Sequence, residues 1–182
     1  MMIKLYRRES TGISYRETWN VGRELIVHWG TIGQTGQKRS VKVPSERTIK
    51  EAIECEAAEI RKAGFAEIPI EEHHEIIVQY RLDSWGSTQD LELRHRVEDL
   101  LDECLGWTGN GHCDGGDIGS GTINIFAFAV DREKACEEII SSLRRKHLLE
   151  GATIAVRNLD ESYDVVWPEN PEGEFRLWYE GI

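Results

Sequence analysis

Residues 29–37 read Trp-Gly-Thr-Ile-Gly-Gln-Thr-Gly-Gln, and this stretch says more than any other about how the chain folds. Val27 and Trp29 are two residues apart, which is the spacing of side chains on one face of a strand. The glycines that follow predict a turn, because glycine adopts backbone conformations that other residues avoid. Lys38 and Arg39 then lead into another strand. The stretch therefore predicts two strands joined by a Gly-rich turn.

The residues around this turn predict a small antiparallel sheet with one helix. Turn residues separate four segments with strand character, at 3–7, 14–21, 24–29 and 39–43. Pro44 and Ser45 open a helix that Gly64 ends. Thr48 and Glu51 have the spacing of a capping box. Apolar residues inside the helix recur at helical spacing, at Ile49, Ala52, Ile53, Ala57 and Ile60.

A connector with Pro69 and an acidic run covers residues 66–75, so we expect two domains, at 1–70 and 71–182. The second domain alternates strands and helices. Two helices beside an antiparallel sheet are typical of a ferredoxin-like α+β fold. We expect helices over 88–105 and 131–147, and strands over 75–82, 122–130 and 152–156, with a closing hairpin of 163–167 and 175–179.

The first seventy residues resemble a WGR domain. The likeness depends on Trp29-Gly30, on the Gly-rich turn, and on the basic-Gly-aromatic end of the helix at Arg61–Phe65. The family is a compact, non-catalytic sheet-and-helix module. It occurs in poly(ADP-ribose) polymerases, where it binds DNA near a break, and in bacterial proteins that include molybdate-regulator-like ones. The resemblance implies contact between this chain and DNA that has a free end.

The residues permit such contact. Trp29 is suited to stack on an exposed base or sugar, and basic side chains are suited to meet phosphates. These basic residues are Arg23, Lys38, Arg39 and Lys42. Thr31 stands where the family has Arg, which removes one charge-assisted phosphate contact. The structural alternative is that Trp29 belongs to the core and the glycines only form turns.

A second Gly-rich stretch lies at 107–121, where six of fifteen residues are glycine. It resembles a pattern in small bacterial proteins without an assigned activity. We expect a loop, with His112, Asp114 and Asp117 as binding candidates. The alternatives are a phosphate cradle, a metal site that also uses Cys113, a recognition loop, and a purely structural strand entry. The mixed ligand types and the spacing disfavour a metal, and neither metal nor cofactor is predicted.

Composition narrows the function classes further. The chain has 182 residues, 40% hydrophobic and 30% charged, and a net charge of −11. Residues 1–50 carry ten Lys or Arg and four Glu, so the excess of acid lies entirely in residues 51–182. No apolar stretch is long enough to span a membrane. The start of the chain does not resemble a signal peptide, and the four cysteines have no zinc-type spacing, which fits a cytoplasmic location.

The sequence thus predicts a non-catalytic binding or regulatory protein. Its first domain is expected to make weak contact with DNA that has a free end. The alternative is an accessory or immunity-type protein that binds a basic protein partner through its acidic second domain and does not bind nucleic acid.

Overall fold

A computed structural model describes residues 1–82, 86–171 and 173–177. The protein is α+β, as predicted, and divides into two compact units. The first unit comprises Met1–Pro69 together with Trp107–Gly109, and the second comprises Ile70–Gly106 and Asn110–Ile182. The main boundary lies one residue before the predicted one. The three residues Trp107–Gly109 were expected in the second domain but group with the first unit.

The first unit has a four-stranded antiparallel sheet in the order β1-β2-β3-β4. Its strands are β1 (Ile3–Glu9), β2 (Gly12–Val21), β3 (Glu24–Thr31) and β4 (Gln37–Lys42). Each strand pairs with the strand that follows it in the chain, and loops of two to five residues connect them. The predicted strands are confirmed, with ends displaced by up to two residues.

Helix α1 (Ile49–Lys62) covers one face of this sheet. It begins at the predicted capping box, in which Thr48 and Glu51 each satisfy the other's backbone N–H. It ends before Gly64, whose φ of +86° suits glycine. The predicted apolar stripe is confirmed, since Ala52, Ile53, Ala57 and Ile60 are buried. Their partners on the sheet include Leu5, Leu25 and Val27.

The strand register sorts the side chains of the first sheet onto two faces. Paired residues on neighbouring strands point to the same side. Trp29 pairs with Arg16 and Gln37, and this row lies on the side of α1. His28 pairs with Glu17 and Lys38, and this row lies on the opposite side. We call the two sides the helix face and the second face.

The second unit has a five-stranded antiparallel sheet in the order β6-β7-β5-β8-β9. Its chain order is strand, helix, two strands, helix, two strands. The first four of its strands thus have the ferredoxin-like arrangement, and β9 adds an edge. The elements are β5 (His74–Arg81), α2 (Thr88–Trp107), β6 (Gly111–Gly119), β7 (Thr122–Ala129), α3 (Arg132–Arg145), β8 (Ala152–Arg157) and β9 (Tyr163–Trp167).

The core of the second unit lies between its sheet and its two helices. Alternate residues of β5 and β7 point into it, among them Ile76, Val78, Ile123 and Ile125. Asp131 caps α3 as predicted and accepts a hydrogen bond from the Lys134 N–H. Among the described residues, no helix combines the length and the apolar character that a membrane span requires.

Two expectations for the second unit differ from the structure. Most of residues 109–121 form strand β6 instead of a loop. Their glycines disfavour a strand by propensity, but Gly111 and Gly116 lie so close to the β7 backbone that a side chain would clash there. The expected strand at 175–179 is absent over 175–177, and residues 178 and 179 lie outside the described part.

Candidate nucleic-acid interface

A row of charged and polar side chains crosses the second face of the first sheet. It contains one residue from each strand, Lys4, Glu17, His28 and Lys38, paired in register. The Glu17 carboxylate lies 3.4 Å from Lys4 Nζ and 2.6 Å from His28 Nδ1. Glu17 and His28 are only 4% and 1% exposed, so the Glu17 carboxylate is a buried charge with Lys4 and His28 as its partners. Buried charges of this kind persist only when each is paired.

Tyr15 links this row to the segment Trp107–Gly109. Its phenol oxygen lies 3.1 Å from His28 Nε2 and 3.2 Å from the Trp107 carbonyl oxygen. Burial, followed by the Glu17 charge, raises the pKa of Tyr15, so the phenol stays protonated at neutral pH and remains a donor. The ring packs so closely on Gly109 that a Cβ there would overlap it. Tyr15 therefore contacts both the Gly-rich turn after β3 and the segment Trp107–Gly109.

The segment Trp107–Gly109 also accepts hydrogen bonds from the Gly-rich turn after β3. The N–H of Gly33 donates to the Thr108 carbonyl and the N–H of Gly36 donates to the Trp107 carbonyl, both at 3.1 Å. Glycine allows close backbone approach, and the backbone that approaches these glycines belongs to this chain. The two N–H groups are therefore committed inside the first unit.

Tryptophan and lysine side chains gather on the second face. Lys38 Nζ lies 4.7 Å from the centre of the Trp107 ring, a cation–π distance. Trp107 is 37% exposed, and Trp19 is half-buried on β2. Both indole rings meet the His28 ring edge-on. Lys42 lies on the same face, four residues along β4. We call Trp19, Trp107, Lys38 and Lys42 the Trp–Lys strip.

The other predicted nucleic-acid residues lie elsewhere. Arg23 Nη2 lies 2.6 Å from the Pro44 carbonyl and 3.1 Å from the Arg47 carbonyl, so it holds the loop before α1. Arg39 lies on the helix face and pairs with Glu56 at 2.8 Å. Trp29 is half-buried on the helix face against the core. The structure thus places Lys38 and Lys42 on the second face, and Trp29 and Arg39 on the helix face.

The candidates from the second Gly-rich stretch lie on strand β6. The His112 ring stacks on Phe128, with 5.9 Å between the ring centres. Asp114 is the extra residue of a β-bulge and is exposed. Asp117 accepts a hydrogen bond from the Asn124 side chain at 2.9 Å. Within the described residues, no group of three potential ligands is placed to hold a metal ion.

The four thiols differ in exposure, which predicts how they react. Cys55 is exposed on α1, because the buried stripe of that helix passes on its other side. Burial raises the pKa of Cys113 and Cys136 to about 11 and that of Cys104 to about 12. Since the thiolate is the reactive form, Ellman's reagent at pH 8 should modify one thiol quickly and three slowly. Raising the pH toward 11 should accelerate the slow class.

The Cys55→Ser variant provides the control for this measurement, because it should lose the fast phase completely. Two or more fast thiols in the native protein would contradict the prediction that Cys104, Cys113 and Cys136 react slowly. Denaturation should make all four equivalent.

Sequence reasoning missed two of the four members of the Trp–Lys strip. Trp19 carried a signal, since Tyr15, Glu17 and Trp19 alternate along β2 and share one face. For Trp107, no local pattern indicates a position on this sheet, because the residue lies far along the chain from the strands it contacts. Comparison of the chain with family models, with curated proteins and with solved structures finds no match.

Proposed function

We propose that this chain is a non-catalytic binding protein whose first unit contacts DNA that has a free end, through the Trp–Lys strip. The observation that carries the proposal is the exposed pairing of Lys38 with the Trp107 ring, 4.7 Å apart. An aromatic ring beside a lysine offers a base a stacking surface and the adjoining phosphate a cation. A frayed or overhanging strand end presents both groups together.

The spacing along β4 supports the same proposal. Lys38 and Lys42 are four residues apart on one face of an extended strand, which places their Cα atoms about 13 Å apart. Both side chains are exposed. The backbone of one strand carries a phosphate at every nucleotide, so two lysines at this spacing suit two phosphates of the same strand. Trp19 lies on the same face of the sheet and adds an aromatic surface.

The likeness of residues 29–37 to a WGR domain favours nucleic acid over other polyanions. Thr31 replaces the family's Arg and is half-buried on β3. The strip lies on the opposite face from Trp29, so the proposed contact does not depend on the family's tryptophan. Weak binding is expected, because two exposed lysines supply few phosphate contacts.

A short fluorescent duplex with a single-stranded overhang tests this proposal. We expect binding at 50 mM salt that weakens as salt rises, since bound phosphates release counterions. The double variant Lys38→Glu/Lys42→Glu should bind at least about tenfold more weakly, because two charge-assisted contacts are reversed. A dumbbell duplex without ends should bind less tightly than the open duplex.

The matched control is Arg47→Glu/Lys50→Glu at the start of α1, which changes the net charge by the same amount at two exposed positions. Acidic residues at a helix start are favourable, so this variant should fold. Equal losses of affinity in the two double variants would show that only net charge matters. No binding at 50 mM salt would overturn the proposal outright.

A second candidate function, recognition of a basic protein, has one observation in its favour. Helix α2 exposes four carboxylates, those of Glu92, Asp99, Asp102 and Glu103. Such a surface accelerates association with a cationic partner. Charge reversal on α2 would then weaken binding, whereas reversal of Lys38 and Lys42 would leave it unchanged or stronger.

A further inference from the structure

The face of the second sheet that points away from α2 and α3 carries buried polar side chains at its centre. Gln79 on β5 and Asn124 on β7 are paired in register and are 2% and 3% exposed. Thr122, two residues before Asn124, is fully buried. The helix-side neighbours on the same strands are apolar, as Val78, Tyr80 and Ile123 show. The polar character is therefore confined to one face.

These side chains bind the backbone of the chain's own segment Glu174–Leu177. Gln79 Nε2 lies 2.8 Å from the Arg176 carbonyl oxygen. Asn124 Nδ2 and Thr122 Oγ1 lie 2.9 and 3.0 Å from the Leu177 carbonyl oxygen. The segment has no regular secondary structure, so side chains of the sheet supply these hydrogen bonds instead of a strand ladder.

One aromatic side chain anchors the segment beside this polar centre. Phe175 is 9% exposed and packs with Ile77 and Ala155. Its ring lies 5.0 Å from that of Tyr163 on β9. The segment is thus held by one aromatic residue and by the carbonyls of the two residues that follow it.

The choice of residues on this face favours a site that is sometimes uncovered. A buried amide costs free energy only when it lacks a hydrogen-bond partner, and the amides on this face can exchange the segment's carbonyls for water without losing their partners. Gln79 and Asn124 would instead be hydrated by water whenever the segment leaves. Hydrogen bonds to main-chain carbonyls also do not depend on which side chains the bound segment carries at those two positions.

We infer that this face is a binding site for an extended peptide of the form aromatic-x-x, and that Glu174–Leu177 occupies it within the chain. A protein partner would present a segment of the same chemistry and displace the internal one. Because the internal segment is tethered to the site, it competes at a high effective concentration. A partner must therefore bind tightly enough to displace it. This site is separate from the Trp–Lys strip and does not depend on nucleic-acid binding.

The test uses the full chain and a fluorescein-labelled peptide Gly-Glu-Phe-Arg-Leu, which corresponds to residues 173–177. The Phe175→Ala variant loses the anchor of the internal segment. Fluorescence polarisation should show that this variant binds the peptide at least about tenfold more tightly than the unmodified chain, because internal competition is weaker. A peptide with Ala in place of Phe should not bind.

Two further measurements identify the site. Adding Asn124→Leu to the Phe175→Ala variant should abolish peptide binding, whereas adding Glu137→Gln at an exposed position of α3 should leave it unchanged. In the unmodified chain, millimolar peptide should shift the NMR signals of Ile77 and Tyr163. Absence of these shifts, or binding that ignores the peptide's Phe or the Asn124 substitution, would overturn the inference.

Discussion

Replacing Gly36 by alanine is expected to lower the free energy of unfolding of the first unit by about 3 kcal/mol or more. A Cβ at this position would overlap Tyr15 Oη and His28 Nε2, and it would lie 2.8 Å from the Trp29 carbonyl oxygen. Tyr15 and His28 are buried and hydrogen-bonded to each other, so neither side chain has space to move. Urea denaturation measures this loss, and hydrogen exchange of the β2 and β3 amides assigns it to the first unit.

Gly106→Ala is the matched control for this prediction. Gly106 lies within α2, and a Cβ there meets no heavy atom within 4 Å. Alanine is the better helix former, so this variant should be neutral or more stable by roughly 0.5–1 kcal/mol. If the two variants had equal stability, the close packing of the Gly-rich turn on Tyr15 would be refuted.

The Glu17→Ala variant should lose about 3–5 kcal/mol, the usual cost of removing one partner from a buried ion pair. Glu17 is the central group of its row, since its two carboxylate oxygens serve Lys4 and His28. Without it, Lys4 faces a largely buried cavity and His28 Nδ1 loses its partner. Thermal unfolding and urea denaturation at pH 7 should both report the loss.

Two comparisons show whether charge or shape is responsible. Glu17→Gln keeps the size and one acceptor oxygen, so it should lose less stability than Glu17→Ala. Glu24→Ala removes an exposed carboxylate bonded to Ser40 on the same face, and it should cost less than about 1 kcal/mol. A loss at Glu17 no larger than that at Glu24 would mean that the buried row contributes nothing to stability.

The elements that sequence reasoning predicted well depend on neighbours along the chain. The capping box of Thr48 and Glu51 and the apolar stripe of α1 are contained within a few residues, and both are confirmed. The same holds for β7, whose apolar run from Ile125 to Ala129 marks an internal strand of the sheet. The ferredoxin-like arrangement of the second unit could be predicted because its helices and strands alternate along the sequence.

The features that sequence reasoning missed depend on distant partners. Strand β6 is rich in glycine and aspartate, and only its pairing with β7 makes it a strand. Tyr15 is 92 residues from Trp107, so no local pattern predicts their contact. The row of Lys4, Glu17, His28 and Lys38 forms only in the observed strand register. That register depends on where the turns between the strands fall, which the sequence alone predicts poorly.

The membership of Trp107–Gly109 in the first unit has a consequence for how that unit is synthesised. A ribosome that has completed Pro69 must add about 40 more residues before these three exist, which takes roughly 2–8 s at typical rates. Until then, Gly33 and Gly36 lack the carbonyls to which they donate, and the Tyr15 ring lacks the glycine on which it packs. A chain cut after Pro69 therefore ends before its own first unit is complete, and co-expression with residues 70–182 is the rational way to recover it.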